Sequence, residues 1–156
     1  MNPVIRDRLT RAVIALALIA VVAPGAGALA KPKPKPNTLL LGDLGNGETL
    51  WLVLDSVKLD EKLIRHGWSV INYATPQTAH DISYSSDASK FYVNCKTMDV
   101  DLANAIKYSE PMAGGKNLFQ VNSEPTPEPD AKDYHPAHPG TAELAVATAI
   151  CKQKIR

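Results

Sequence analysis

Pro139-Gly140-Thr141-Ala142-Glu143-Leu144 begins a segment whose apolar residues continue at helical spacing to Cys151. The only other cysteine, Cys95, ends the run Phe91-Tyr92-Val93-Asn94-Cys95, in which side chains alternate between an apolar face and a mixed face, as in a β-strand. The two stretches together predict a short C-terminal helix that is joined by a disulfide to a β-sheet.

The predicted helix has a start signal and suitable terminal charges. Thr141 or Gly140 is the expected N-cap, because both residue types are favoured there. Glu143 in the first turn and Lys152 near the end suit the helix dipole. We expect one mostly small apolar stripe to face the sheet, formed by Leu144, Ala147, Thr148, Cys151 and Ile155.

The first 30 residues have the features of a secretory signal peptide. Three arginines precede the apolar run 12–23, and Ala28-Leu29-Ala30 has small residues where a signal peptidase cuts. The run is about half of the roughly 20 residues that a membrane-spanning helix needs. We therefore expect cleavage after Ala30, export, and no stable membrane span, with an uncleaved N-terminal anchor as the alternative. No cysteine stands directly after the run, where a lipid anchor on a mature N-terminal cysteine would need one, so we expect no lipid anchor.

Export would place the two cysteines in an oxidising compartment. In an oxidising compartment they are most simply explained by one disulfide between Cys95 and Cys151, and two free thiols are the alternative. This bond would close a loop of more than 50 residues. On the chain-entropy model such a closure stabilises a protein by about 4 kcal/mol, which is a large fraction of the total stability of a small domain.

The charge of the chain argues against a nucleic-acid binder. The sequence has 17 Lys and Arg against 16 Asp and Glu, and removal of residues 1–30 leaves 14 against 15. Nucleic-acid affinity comes largely from clustered cations, and no basic stripe follows the N-terminal region. The Lys/Pro-rich stretch 31–37 is predicted to be an extended, exposed spacer, and a tether to an anionic surface is the alternative.

Residues 38–156 are predicted to form one α+β domain, an antiparallel sheet of about five to six strands with the helix at its C-terminal end. Alternating apolar residues and turn signals place strands at 38–41, 48–55, 67–74, 82–85 and 90–96. Thr75-Pro76-Gln77-Thr78 and Ser85-Ser86-Asp87-Ala88-Ser89 are interpreted as breaks between strands. The charged stretch 57–65 is expected to be a loop or one helical turn.

The segment 99–108 fits two patterns. Val100, Leu102 and Ile106 follow a strand period, whereas Leu102, Ala105 and Ile106 also fit one face of a helix. We favour a strand, because Gly114-Gly115 then forms a hairpin turn and 118–122 its partner strand.

The order of these features resembles the surface-adhesin protein E family of exported bacterial proteins. The resembling features are the Ser85-Ser86 turn, the strand ending at Asn94-Cys95, the following strand to Tyr108, the Gly114-Gly115 turn, and the ending from Pro139 to Cys151. They cover roughly residues 49–151. The tryptophan expected shortly before Pro139 is absent, and Tyr134 and His135 stand nearby.

The resemblance implies an antiparallel sheet with a C-terminal helix joined to it by Cys95 and Cys151. For some members it also implies attachment to host extracellular-matrix proteins and self-association into homodimers. No binding residue of the family has a matching motif in this chain.

Tyr134-His135-Pro136-Ala137-His138, within the proline-rich stretch 124–139, is the one cluster that resembles a site. Its two histidines, His135 and His138, are weak candidates for ligands of a metal ion or of haem iron, and a solvated loop is the alternative. No catalytic motif is present, so we expect no catalytic residue, no enzyme activity and no cofactor. The sequence predicts an exported interaction or adhesion domain that binds matrix or cell-envelope proteins, and a periplasmic ligand- or metal-binding protein is the alternative.

Overall fold

The structure is a computed structural model that describes residues 37–60, 64–122 and 130–155. The predicted signal peptide, residues 1–30, and the spacer up to residue 36 lie outside these residues and stay predictions. The same holds for 123–129 in the proline-rich stretch.

The architecture is one antiparallel sheet with one helix. Six strands follow one another as neighbours in chain order, and a short seventh strand pairs with the fifth. This confirms the predicted fold class. The strands are β1 Thr38–Gly45, β2 Glu48–Leu59, β3 Arg65–Ala79, β4 Ile82–Asn94, β5 Asp99–Glu110, β6 Gly114–Val121 and β7 His135–Pro136; a 3-10 turn covers Ala131–Asp133, and helix α1 covers Ala142–Lys152.

The segment that fitted both strand and helix patterns is β5, so the favoured interpretation is confirmed. β5 pairs with β4 from Asp99 to Tyr108 and with β6 on its other side. The hairpin to β6, predicted for 118–122, is also confirmed, but the predicted turn at Gly114-Gly115 is wrong: the turn is formed by residues 111–113, and both glycines belong to β6.

Two of the predicted breaks are wrong. The chain continues as one strand, β4, through Ser85-Ser86-Asp87-Ala88-Ser89, and β3 continues through Thr75-Pro76-Gln77-Thr78 to Ala79. The serine segment lies between two strands, since Ser86 is opposite Asn72 on one side and Tyr108 on the other. Its hydroxyl donates to a carbonyl and accepts an N–H, so this polar side chain is satisfied within the sheet.

The loop or helical turn predicted for 57–65 is wrong where the structure describes it. β2 continues to Leu59, and β3 begins at Arg65. The two strands pair again at Lys58 and His66 after an irregularity. Ser56 bridges this irregularity, because its hydroxyl donates to the carbonyl of Val53 at 2.6 Å and accepts the N–H of Trp68 at 2.8 Å.

The hydrophobic core lies between one face of the sheet and α1. Leu50, Leu52, Phe91, Val93 and Val100 form the sheet side of this core, and Val146, Ala147, Ala149 and Ile150 form the helix side. We call the face of the sheet that α1 covers the helix face. The predicted apolar stripe of α1 is therefore only partly right. Ala147 belongs to the core and Cys151 packs against it, whereas Leu144 and Thr148 are half-buried beside β1 and Ile155 follows the end of the helix.

Gly67 explains how the helix comes so close to β3. A Cβ atom at this position would lie 3.2 Å from Val57 Cγ2 and 3.4 Å from Ile150 Cδ1. The missing side chain leaves room for Ile150, which is fully buried.

The opposite surface of the sheet, which we call the uncovered face, carries the alternate residues of the same strands. Trp51 and Val53 of β2, Trp68 and Val70 of β3, and Ala88 of β4 face this side by register. α1 packs on the other side, mainly against β1 to β4. β2 is thus apolar on both faces, with Leu50 and Leu52 on the helix face and Trp51 and Val53 on the uncovered face.

Candidate functional site

Cys95 and Cys151 form the predicted disulfide, which joins the chain after β4 to the last turn of α1. Their Cα atoms are 5.6 Å apart, and neither cysteine is free. The bond closes a loop with a sequence separation of 56 residues. Its role in this fold is to fix the helix to the sheet.

Arg65, which the sequence did not single out, provides a second attachment of the helix end. Its Nη1 atom donates to the carbonyls of Ile150, Cys151 and Gln153, at 3.0, 2.9 and 2.7 Å. These are carbonyls at the C-terminus of α1, where a helix leaves acceptors unsatisfied and favours positive charge. The partners lie 85 to 88 residues away in sequence, so no local pattern could have indicated the contact.

The histidine cluster lies where β7 and the start of α1 meet. His135 Nε2 is 3.6 Å from Glu143 Oε2, and the carbonyl of His138 accepts the hydroxyl of Thr141 at 2.7 Å. Thr141 is the N-cap, and its hydroxyl oxygen also accepts the N–H of Leu144 at 3.2 Å. In the parts of the chain that the structure describes, no group of three or more His, Cys, Asp or Glu is placed to hold a metal ion.

An acidic position adjoins this cluster on β5. Burial raises the pKa of the Asp101 carboxyl, the nearby charge of Asp133 raises it further, and His135 opposes this effect. The site therefore disfavours the charged form of Asp101.

An ion pair joins β4 and β5 in the part of the sheet that lies beyond the helix. Lys107 Nζ donates to Asp87 Oδ2 at 2.7 Å and lies 4.2 Å from the centre of the Tyr84 ring. Burial lowers the pKa of Lys107, but the hydrogen bond and the charge of Asp87 outweigh it, so the net shift is upward. Tyr73 stands edge-on to Tyr84, and burial followed by the charge of Asp87 raises its pKa. These contacts satisfy Lys107 within the sheet.

β1 is an edge strand with an apolar sequence. Leu39, Leu40 and Leu44 are 41%, 51% and 42% exposed. β1 pairs with β2 on one side, and within residues 37–60, 64–122 and 130–155 no strand pairs with its outer edge. Long apolar edges are unusual in soluble proteins, because they offer backbone groups and apolar side chains to another chain.

A groove of about 630 Å³ runs between β1 and α1 on the helix face. We call it the edge groove. One side is formed by leucines of β1, Leu39, Leu41 and Leu44, and the other by Leu144, Ala145 and Thr148 of α1. Asp43 and Lys152 are charged residues in its lining. An apolar floor flanked by both signs of charge suits a protein segment better than a small ion.

The uncovered face holds a smaller cavity of about 280 Å³, which we call the cleft. Its floor is formed by Val70, Ala88 and Ile106, which are buried, and Trp68 and Tyr108 line its sides. Thr38, Val53, Met112 and Ala113 complete the lining, so none of its nine residues is charged.

The turn between β5 and β6 closes one end of the cleft, and buried polar side chains hold it there. Asn72 accepts the N–H of Met112 at 2.5 Å, and its amide nitrogen lies 2.9 Å from the Met112 sulfur. Ser86 donates to the carbonyl of Glu110 at 2.6 Å and accepts the N–H of Ala113 at 3.0 Å. Asn72 and Ser86 are 1% and 0% exposed. No local pattern indicated this arrangement, since Ser86 belongs to a segment that was expected to be a turn.

A comparison with protein-family models matches residues 39–152 to the family described as surface-adhesin protein E. The most similar solved structures include crystal form II of Haemophilus influenzae protein E, with a TM-score of 0.58 and 16% identity, which covers 81% of this chain and 96% of that one. Protein E from non-typeable Haemophilus influenzae has a TM-score of 0.55 and 18% identity, over 80% of this chain and 82% of that one. At these identities the likeness shows a shared fold.

A search of curated proteins found no match. Among the helices of the described residues, none combines the length and the apolar character that crossing a bilayer requires.

Proposed function

Because the chain belongs to the surface-adhesin protein E family, we propose that it is an exported, non-enzymatic adhesion domain. Its partners are proteins of the host extracellular matrix or of the cell envelope. Support for export comes from the signal-peptide features of residues 1–30 and from the disulfide, which is typical of oxidising compartments.

The observation that carries the proposal is the exposed apolar edge of β1 beside the edge groove. Leu39 and Leu44 line this groove and are 41% and 42% exposed. An extended partner segment can add to a sheet edge through main-chain hydrogen bonds, while its alternate side chains enter adjacent pockets. The edge groove lies along β1, where the alternate side chains of an added segment would enter it.

The size of the groove supports a protein segment as the occupant. At about 630 Å³ it has room for several side chains. A second copy of this chain is the competing occupant, since an apolar edge is also suited to pairing with itself.

The test is binding of the purified chain, residues 31–156, to immobilised matrix proteins and to cell-envelope fractions. Wild type should show saturable binding. Leu39→Lys and Leu44→Lys should each weaken it by about tenfold or more, because a lysine on the edge opposes strand addition and places a charge in an apolar contact. Leu102→Lys is the matched control, since Leu102 is 44% exposed but belongs to β5; its affinity should change by about twofold at most.

The oligomeric state is measured on the same proteins by sedimentation. If wild type is a dimer and Leu39→Lys is a monomer that still binds matrix proteins, β1 is a self-association edge and its proposed adhesive role is wrong. An absence of saturable binding by folded wild type contradicts the adhesion function itself.

The predicted alternative, a metal or haem site at His135 and His138, stays a prediction. Its test is metal and haem titration of wild type and of the double variant His135→Ala/His138→Ala. Equal affinities in the two proteins would rule the site out.

A further inference from the structure

The cleft on the uncovered face has the properties of a preformed binding site. It is lined by residues of β1 to β5 and of the β5–β6 turn, and all nine are uncharged. Sites for small ligands are mostly apolar concavities with few polar groups. The edge groove lies on the helix face, so the cleft is a separate surface from the one proposed for adhesion.

The turn over the cleft is built at a cost to stability. Met112 and Ala113 are consecutive non-glycine residues with φ values of 58° and 52°. The left-handed conformation costs about 1 kcal/mol or more per residue. Four contacts from Asn72 and Ser86 hold it, and both of these polar side chains are buried beside the apolar lining of the cleft. Strain that surrounding contacts over-determine is frequent at ligand sites.

The depth of the cleft depends on Ala88. This residue lies between Val70 on β3 and Ile106 on β5, and it has the smallest side chain of the three. A larger apolar residue at this strand position would fill the space and bury more surface. The sequence instead leaves about 280 Å³ beside Trp68.

We propose that the cleft binds a small, uncharged, mainly apolar molecule of about two fused rings. A cavity of about 150 Å³ accepts benzene, and the cleft is almost twice that volume at about 280 Å³. Trp68 and Tyr108 on its sides offer aromatic contacts to a planar ring. A charged molecule is disfavoured, because its charge would lose water without gaining a partner.

The test uses indole as the probe and the two tryptophans as reporters. Trp68 lines the cleft, whereas Trp51 does not and its indole N–H donates to Thr49 Oγ1 at 2.9 Å. In ¹H–¹⁵N spectra of the folded chain, indole should shift the Trp68 side-chain signal saturably and the Trp51 signal much less. We expect a Kd of about 0.1 to 1 mM, which is ordinary for a ligand of this size.

Two comparisons test the chemistry of the cleft. Indole-3-acetate, which adds a carboxylate to the same ring, should bind about tenfold more weakly. Ala88→Leu should abolish the Trp68 shift without lowering the unfolding temperature, and Ala88→Val, which adds less volume, should weaken binding. Ala79→Leu, at the end of β3 and outside the lining, is the control and should bind as wild type does.

The proposal is overturned if folded wild type shows no saturable Trp68 shift, if indole-3-acetate binds equally well, or if folded Ala88→Leu retains full affinity. A Trp68 shift that follows protein concentration without any probe would identify a second copy as the occupant instead. Leu39→Lys should leave indole binding unchanged. A failure of the adhesion function and a failure of the cleft can therefore be told apart.

Discussion

The two faces of one sheet treat apolar surface in different ways. On the helix face Leu52, Val93, Val100 and Ile150 are fully buried, and a disulfide fixes the helix that covers them. On the uncovered face Val70 and its neighbours are covered by side chains and by a turn, and a cavity of about 280 Å³ remains. The helix thus closes the centre of one face and leaves the edge groove at its margin, whereas the other face keeps a shaped apolar cavity near its centre.

The buried polar groups are unevenly divided between the faces. Of the four in the described residues, Asn72, Ser86 and Asn104 lie on the uncovered face by register, and Ser69 lies on the helix face opposite Leu52. Ser86 and Asn72 lie under the turn, where they position Met112 and Ala113. Apolar contacts are non-directional, whereas hydrogen bonds fix one geometry. We therefore expect the contacts on the helix face to contribute more to the free energy of unfolding, and the contacts on the uncovered face to fix the shape of the cleft.

The largest expected effect is the loss of the helix attachment in Cys95→Ser/Cys151→Ser. Removal of this 56-residue cross-link should lower the free energy of unfolding by about 4 kcal/mol, within the usual range of about 2 to 5. Urea unfolding followed by circular dichroism measures it. Indole binding at the cleft should persist wherever the variant is folded. Two titratable thiols in unfolded wild-type protein would contradict the predicted bond.

The sequence predicted the parts of the fold that depend on local patterns. Alternation in residues 91–95, the N-cap at Thr141 and the cysteine count led to the sheet, the helix and the bond between them. The turn predicted at Ser85-Ser86-Asp87-Ala88-Ser89 was wrong, because local composition favours a turn there. The hydrogen-bond partners of the Ser86 hydroxyl lie 24 and 27 residues away in the sequence.

The candidate surfaces were harder to predict than the fold. The leucines of β1 were recognised as a strand, but their exposure depends on β1 being the last strand of the sheet. The cleft depends on the juxtaposition of Ala88 with residues from four other strands and a distant turn. Neither property is written in a local pattern.

A pair of core truncations compares the faces directly. Leu52→Ala should cost about 3 to 5 kcal/mol, because Leu52 is fully buried under the helix and the space cannot collapse easily. Ile106→Ala should cost about 2 to 3 kcal/mol, at the lower end of the range, because Ile106 borders a cavity that already exists. Denaturant unfolding of both variants measures the difference. Equal losses would mean that the uncovered face is packed as tightly as the helix face.

Ser86→Ala tests the turn over the cleft. The substitution leaves the carbonyl of Glu110 and the N–H of Ala113 without the hydroxyl that both contact. An unsatisfied buried group costs about 1 to 3 kcal/mol, and we expect a loss of about 2 kcal/mol with weaker indole binding. Ser83→Ala, at an exposed position of the same strand, is the control. A stability loss without any change in indole binding would show that the turn does not shape the cleft.

The smallest effect is expected at Asp101, which faces the same side as Tyr92, its partner across β4 and β5. Burial and the charge of Asp133 raise the pKa of Asp101 in the folded protein. The contribution of Asp101 to the free energy of unfolding is therefore favourable and fully present at pH values below its unfolded pKa. That contribution is lost as the pH rises through the higher folded pKa. Asp101→Asn should therefore stabilise the protein at pH 7 by a fraction of a kcal/mol, roughly the size of a surface charge effect.

The gain of Asp101→Asn should disappear below about pH 4, where the wild-type carboxyl is protonated as well. Asp133→Asn should reproduce part of it, because it removes the neighbouring charge that acts on Asp101. Unfolding temperatures at the two pH values measure both effects. If Asp101→Asn destabilises the protein at pH 7, the Asp101 carboxylate makes a favourable contact. The stability of the uncovered face would then depend on charge as well as on apolar packing.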